Sequence, residues 1–189
     1  MRRLLLFVLL IPASHSVLAQ AVPLDIGRSI VRIHVEKSGI FSAFAHNHTI
    51  EAPLASGQLD VEKQTICLVF NTPDMKVLDP GTKESERGEI EQTMKSEKVL
   101  DVQRFPEIHF TSTSVTPLEG ERYQVRGELT LHGVTKSVDL PVSLVHNVYT
   151  GSVKLRQTGF EITPVNIAGG TVKVKDEISV EFEIVAGSK

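Results

Sequence analysis

Apolar and polar residues alternate with a period of two along most of the chain from residue 24 onward, the pattern of strands with one buried face. Val31, Ile33 and Val35 interleave with Arg32, His34 and Glu36 before the turn Lys37-Ser38-Gly39. Phe44, His46, His48 and Ile50 share one face of the following segment, 41–51, and residues 56–62 alternate again. Thr65 to Phe70 reads as a more fully apolar strand. Ile108 and Phe110 open a strand that continues through threonine and serine to Val115. Tyr123, Val125, Leu129 and Leu131 fall on one face, with Gly127 between them marking a bend or bulge. Val138, Leu140, Val142 and Leu144 form another series, and Ile178, Val180, Phe182 and Ile184 a last one behind the turn residues Gly169-Gly170. Strands repeated between turns, without linker, internal repeat or low-complexity tract, predict one all-β domain, a sandwich or a closed barrel.

One segment departs from this period. After the turn Asp79-Pro80-Gly81, residues 82–100 are densely charged and do not alternate. Ile90 and Met94 lie one helical turn apart, and Arg87 and Glu91 are spaced as an i,i+4 pair. A surface helix over 83–96 is expected, with Gly88 its weak point. Its thin apolar stripe places it on the sheet edge or over a mouth, not inside.

The N-terminus changes how much chain must fold. Met1-Arg2-Arg3, the apolar run Leu4 to Pro12, and small residues through Ala21 follow the order of a cleavable secretory signal. Cleavage is expected after Ala19 or Ala21, giving a signal at 1–21 and a domain at 22–189. The apolar run is far short of the roughly 20 residues a membrane helix needs, and no cysteine follows the cut to carry a lipid anchor. A periplasmic or secreted protein with no membrane span is the expectation. Removing 21 of the 189 residues leaves 168, enough for one domain with a real core. Two of the 20 basic residues leave with the signal, so 18 face 23 acidic ones, a net charge of −5. That charge excludes the basic footprint of a nucleic-acid binder. Cys67 is the sole cysteine, so no internal disulfide forms. Inside the run Ile66-Cys67-Leu68-Val69-Phe70 it reads as a small buried hydrophobe.

Two stretches carry more than pattern. Phe105-Pro106-Glu107-Ile108-His109-Phe110-Thr111-Ser112-Thr113 is followed by Gly127-Glu128-Leu129-Thr130-Leu131-His132-Gly133-Val134-Thr135-Lys136-Ser137-Val138. Together they resemble the YceI-like family of exported bacterial proteins. Ser29 to Val35 looks like that family's opening strand, and Thr158-Gly159-Phe160-Glu161-Ile162 and the final strand occupy the matching places, so the resemblance spans about residues 24–186. It implies an extended lipocalin-like antiparallel β-barrel of about eight strands with one short surface helix. It also implies that the interior holds a long amphiphile, a polyisoprenoid or fatty-acid-like lipid, as a small apolar ligand. The residues alone leave two uses for the inward side chains Phe44, Ile108, Phe110, Leu129, Leu131 and Phe182: a filled core or a ligand cavity. An apolar interior volume of several hundred Å³ would favour the cavity.

Within the second motif, His132-Gly133 sits between two alternating series and predicts a hairpin turn with Gly133 at positive φ. His132 there is a turn-stabilising side chain more readily than a catalyst. His46-Asn47-His48 is the remaining chemical signal. Histidines at i and i+2 of a strand face the same way and can reach one ion. A divalent metal (Zn²⁺ or Cu²⁺) or haem iron could sit on His46 and His48, with His34 or His109 from neighbouring strands adding a ligand. A polar headgroup at the cavity mouth, or simple hydrogen bonding near a strand end, would also account for the pair. HNH nucleases share only these three letters.

The chain lacks a nucleophile elbow, an H-E-x-x-H helix and a phosphate loop, and Asp74, Asp79 and Asp101 flank turns where aspartate bonds locally. An enzyme is therefore not expected. A structural β module binding another envelope protein through residues 83–96 is a third reading. The oligomeric state stays open, a homodimer included.

Overall fold

The computed structural model describes residues 21–38, 47–60, 62–167 and 172–187. Residues 1–20, where the signal is expected, Phe44, His46, and Gly169-Gly170, where a turn is expected, lie outside these described residues. In chain order the described strands are β1 (Val22–Pro23), β2 (Ile30–Ser38), β3 (His48–Glu51), β4 (Leu54–Asp60), β5 (Thr65–Asn71) and β6 (Lys76–Val77). The helix α1 (Glu84–Lys95) comes next. β7 (Glu107–Leu118), β8 (Arg122–Leu131), β9 (Val134–Val145), β10 (Val148–Arg156), β11 (Asn166–Ile167) and β12 (Val172–Val185) complete the chain. All paired strands are antiparallel, in the order β1-β4-β5-β7-β8-β9-β10-β12-β2-β3-β6, with β11 on β12. Twelve described strands exceed the expected eight because β1, β3, β6 and β11 are pieces of two to four residues. The other eight, of seven residues or more, make the body of the barrel.

The sheet curls back on itself as a half-barrel, one end strand reaching over to an inner one. β3 and β4 lie far apart in the strand order yet are joined by Ala52 and Pro53 alone. On the other side β1 pairs with β4 and then reaches β12 through the Leu24–Ala186 bridge. Asp25 N–H donates to the Val185 carbonyl at 2.9 Å and Gly187 N–H to the Pro23 carbonyl at 2.9 Å. Buried Ser29 locks this seam, its hydroxyl donating to the Asp25 carbonyl at 2.7 Å while accepting the Val185 N–H at 3.0 Å. Closure satisfies backbone groups that an open edge would leave unpaired.

Turn chemistry sets the register of the hairpins. His132 and Gly133 both have positive φ, 52° and 77°, so β8 and β9 join by a two-residue turn of the type that matches strand twist. His146 and Asn147 repeat the device between β9 and β10. The His132 ring packs against Phe105 at a 57° tilt, centroids 4.5 Å apart, and its Nδ1 is 3.2 Å from the Phe160 carbonyl oxygen. It ties the turn to two neighbouring segments.

The helix occupies 84–95, with Lys83 and Ser96 as its caps at the ends of the expected span. Its ion pair differs from the expected one. Glu91 reaches forward to Lys95, Oε1 to Nζ 2.7 Å, instead of back to Arg87, because its other oxygen accepts the Val77 N–H of β6 at 3.1 Å. Glu91 thus fastens α1 to the last strand of the sheet, and Met94 is buried beneath.

Parity corrects the reading of Cys67, which is exposed. Ile66, Leu68 and Phe70 of β5 face the interior, so Cys67 between them faces out.

Candidate functional site

The inward faces of the strands enclose a cavity of about 650 Å³. Its wall is overwhelmingly apolar, drawn from β2, β5, β7, β8, β9, β10 and β12, and α1 covers it through Ile90, Thr93 and Met94. Of the six residues that alternation assigns to the interior, Ile108, Phe110, Leu129, Leu131 and Phe182 all line it; Phe44 lies outside the described residues. Ile178 and Val180, which alternation puts on the same face as Phe182, line the cavity too; Leu155, at the inward parity of β10, is a liner that sequence reasoning did not single out.

Two glycines let the aromatic liners lie flat against the wall. A Cβ on Gly127 would stand 2.4 Å from the Phe110 ring, and one on Gly151 would stand 2.5 Å from the Phe182 ring. Gly127 faces a β-bulge in β7 between Ser112 and Ser114, which re-aims that strand. Ser112 is buried there, and its hydroxyl accepts the Ile66 N–H at 2.9 Å. The bend expected near Gly127 is therefore carried by its partner strand.

Polar groups on the wall are few. Tyr149 and Tyr123 face the cavity from neighbouring hairpins. Burial first, and then the proximity of Tyr123, pushes the Tyr149 phenol above its ordinary range, so it stays uncharged at neutral pH. Gln157 is buried and donates to the Lys175 carbonyl at 2.8 Å, which fixes its amide against β12. Arg156 borders the cavity, but its charge acts on Asp176, whose carboxyl is held low first by hydrogen bonds from Thr158.

The histidines separate. His48 lines the cavity beside Ile50, and its Nδ1 is 2.6 Å from Oδ2 of Asp79. His46 lies outside the described residues. His34 does lie on the strand beside His48, since β2 pairs with β3, but it is registered with Thr49 and so faces away from His48; His109 does not, because β7 is flanked by β5 and β8. His34 stands 3.4 Å from Glu181 and His109 3.0 Å from Glu107. Among the described residues no group of three or more His, Cys, Asp or Glu is placed to hold a metal. Asp74 and Asp101 do bond locally, to Asn71 and Arg104. Asp79 does not: it spans 31 residues to His48, a contact no local turn signal announces.

Among the described residues no helix is long and apolar enough to cross a membrane. Comparison with known proteins gives a consistent result. The model of the YceI-like domain matches residues 24–186. The chain is 36% identical over 102 residues to UPF0312 protein plu2095 of Photorhabdus laumondii, an alignment covering 54% of this chain and 47% of that protein. It is 35% identical over 96 residues to Protein YceI of Salmonella arizonae, covering 49% and 44%. The chain thus spans about half the length of the curated relatives it matches. Among solved structures, BcnA of Burkholderia cenocepacia superposes with a TM-score of 0.62 at 18% identity, over 87% of this chain and 99% of that one. The Campylobacter jejuni YceI protein does so with a TM-score of 0.51 at 14% identity, over 66% and 73%. At these identities the structural likeness speaks for the fold alone.

Proposed function

From the premise that this chain belongs to the YceI-like domain family, we propose that it is an exported carrier holding a long apolar amphiphile inside its barrel. The observation that carries this reading is the cavity itself: about 650 Å³, walled by apolar side chains and bordered by few polar groups. That volume lies in the range of small-molecule sites, roughly 300–1,000 Å³. A core meant only for stability would close on itself, since interiors pack to the density of organic crystals. An isoprenoid or fatty chain supplies the missing contacts at about 25 cal/mol per Å² of apolar surface removed from water.

The protein acts on this reading by binding, in the periplasm to which residues 1–21 direct it. Protein purified from its native envelope, analysed by native mass spectrometry and by lipid extraction, is expected to carry one long-chain amphiphile per barrel. A homogeneous ligand-free mass, together with failure to take up any long-chain lipid, would overturn the proposal.

A further inference from the structure

The cavity wall carries a histidine whose hydrogen-bonding capacity is only half used by the described residues. His48 faces the cavity from β3, and its Nδ1 lies 2.6 Å from Asp79 Oδ2. A carboxylate only accepts, so Nδ1 bears the proton and donates it. The other oxygen, Oδ1, accepts the backbone N–H of Thr49 at 2.8 Å. The Asp79 side chain is 4% exposed and that of His48 23%. A buried carboxylate held at both oxygens fixes the imidazole's orientation and tautomer. Nε2 is left as the free end, with no hydrogen bond to another described residue.

We propose that the Asp79–His48 pair is the polar anchor of the cavity and that it selects an amphiphile with an uncharged hydroxyl head. This rests on the carrier reading and sharpens it by naming the head. A hydroxyl donates to Nε2 of the neutral ring and accepts from the protonated ring, so it suits either state. An anionic head suits neither the charges nor the geometry. The only positive charge His48 can offer is already opposed by the Asp79 carboxylate at 2.6 Å. The other ionisable side chain bordering the helix-covered part of the cavity is Glu89, which is acidic. Arg156, the one arginine on the border, is exposed to solvent, and its field is shared with the nearby Asp176 carboxylate. The negative groups therefore disfavour a carboxylate or phosphate head by like-charge repulsion in a poorly solvated site.

Competition native mass spectrometry on the full mature protein tests this with three probes of equal chain: geranylgeraniol, geranylgeranoic acid and geranylgeranyl monophosphate. The wild type is expected to favour the alcohol over both anions by about tenfold. His48→Phe, which keeps an aromatic ring and removes the nitrogen, should lower alcohol uptake about tenfold and erase the preference. His48→Gln, which still donates and accepts, should retain most of it. Circular dichroism of each variant confirms that the barrel is folded. Equal uptake of all three probes by the wild type, or an undiminished alcohol preference in folded His48→Phe, overturns the anchor and leaves the carrier reading standing. Uptake of none of the three overturns both.

Discussion

The helix-covered end of the barrel and the wall of β10, β12 and β2 are made of the same kinds of residue and pack in opposite ways. At the helix end Met75 is 2% exposed, Met94 6% and Leu100 7%, in one cluster, covered on the sides that do not border the cavity. Beside them Thr72 is fully buried, its hydroxyl donating to the Phe105 carbonyl at 2.8 Å. On the wall Val31 and Ile184 are buried at one end, but Ile33, Val35, Leu155, Val180 and Phe182, which also point inward, are only half-buried, because more of each faces the cavity. Inward parity is common to both regions; depth of packing is not. The closed end supplies contacts that hold the chain together, while the wall holds apolar surface in reserve for something else.

Truncation separates the two most sharply. Met75→Ala should cost about 3 kcal/mol, because this side chain, although it touches the cavity, is 2% exposed and loses contacts on nearly every side. Leu155→Ala should cost only about 1 kcal/mol, since the leucine already borders empty space and its loss creates no new closed void. Urea unfolding of both variants at constant m-value measures the difference. Equal losses would mean that the wall is as tightly packed as the helix end, which would remove the basis of the cavity reading.

Much of this contrast could not be seen from the sequence, for a physical reason. Alternation encodes which way a side chain points, and so Ile108, Phe110, Leu129, Leu131 and Phe182 were legible as inward. It does not encode what meets them, and a filled core and a hollow one demand the same inward residues. The parity of Cys67 was hidden because Ile66 to Phe70 is apolar at every position, leaving no polar residue to mark the outer face. The partner of Glu91 depended on β6, whose Val77 N–H draws one oxygen forward and away from Arg87. Asp79 was explained too early by its turn. Its carboxylate contacts a histidine 31 residues away, across a strand pairing that exists only once β3, β6 and β2 have assembled. The helix was legible in place and extent because its charge and its Ile90–Met94 spacing break a period that everything around it keeps.

Filling the wall gives a smaller effect on stability and a selective one on binding. Val180→Phe places a larger ring into the cavity from the middle of β12. In a packed core such an insertion costs typically 1–3 kcal/mol; here the space in front of Val180 should hold the cost below about 1 kcal/mol. Uptake of geranylgeraniol should nevertheless fall at least about tenfold, because the ring occupies the volume the chain needs. Isothermal titration and thermal melting of the same sample report the two numbers together. A variant that binds as the wild type does would show that the chain lies elsewhere.

The smallest expected effect lies at the other region and is set by pH. The hydrogen bond from Lys95 is the leading cause holding the Glu91 carboxyl below its ordinary value; the Val77 N–H and the charges of Lys95 and Lys76 act in the same direction, and burial partly opposes them. A carboxyl lowered in the folded state contributes stability that is complete above the unfolded value and is lost as pH falls through the folded one. Docking of α1 should therefore weaken in acid, over the range below about pH 4. Glu91→Gln should cost about 0.5 kcal/mol at neutral pH, as for other partly exposed i,i+4 pairs, and progressively less as pH falls through the lowered folded-state value, where the wild-type carboxyl itself takes up a proton. Hydrogen exchange resolves where the loss falls. Faster exchange in acid confined to residues 84–95 and β6, with β10 and β12 unchanged, would show that the helix is a separately fastened cover on a wall that does not need it to fold. Loss of protection in all of them at once would instead make the cover and the wall a single cooperative unit.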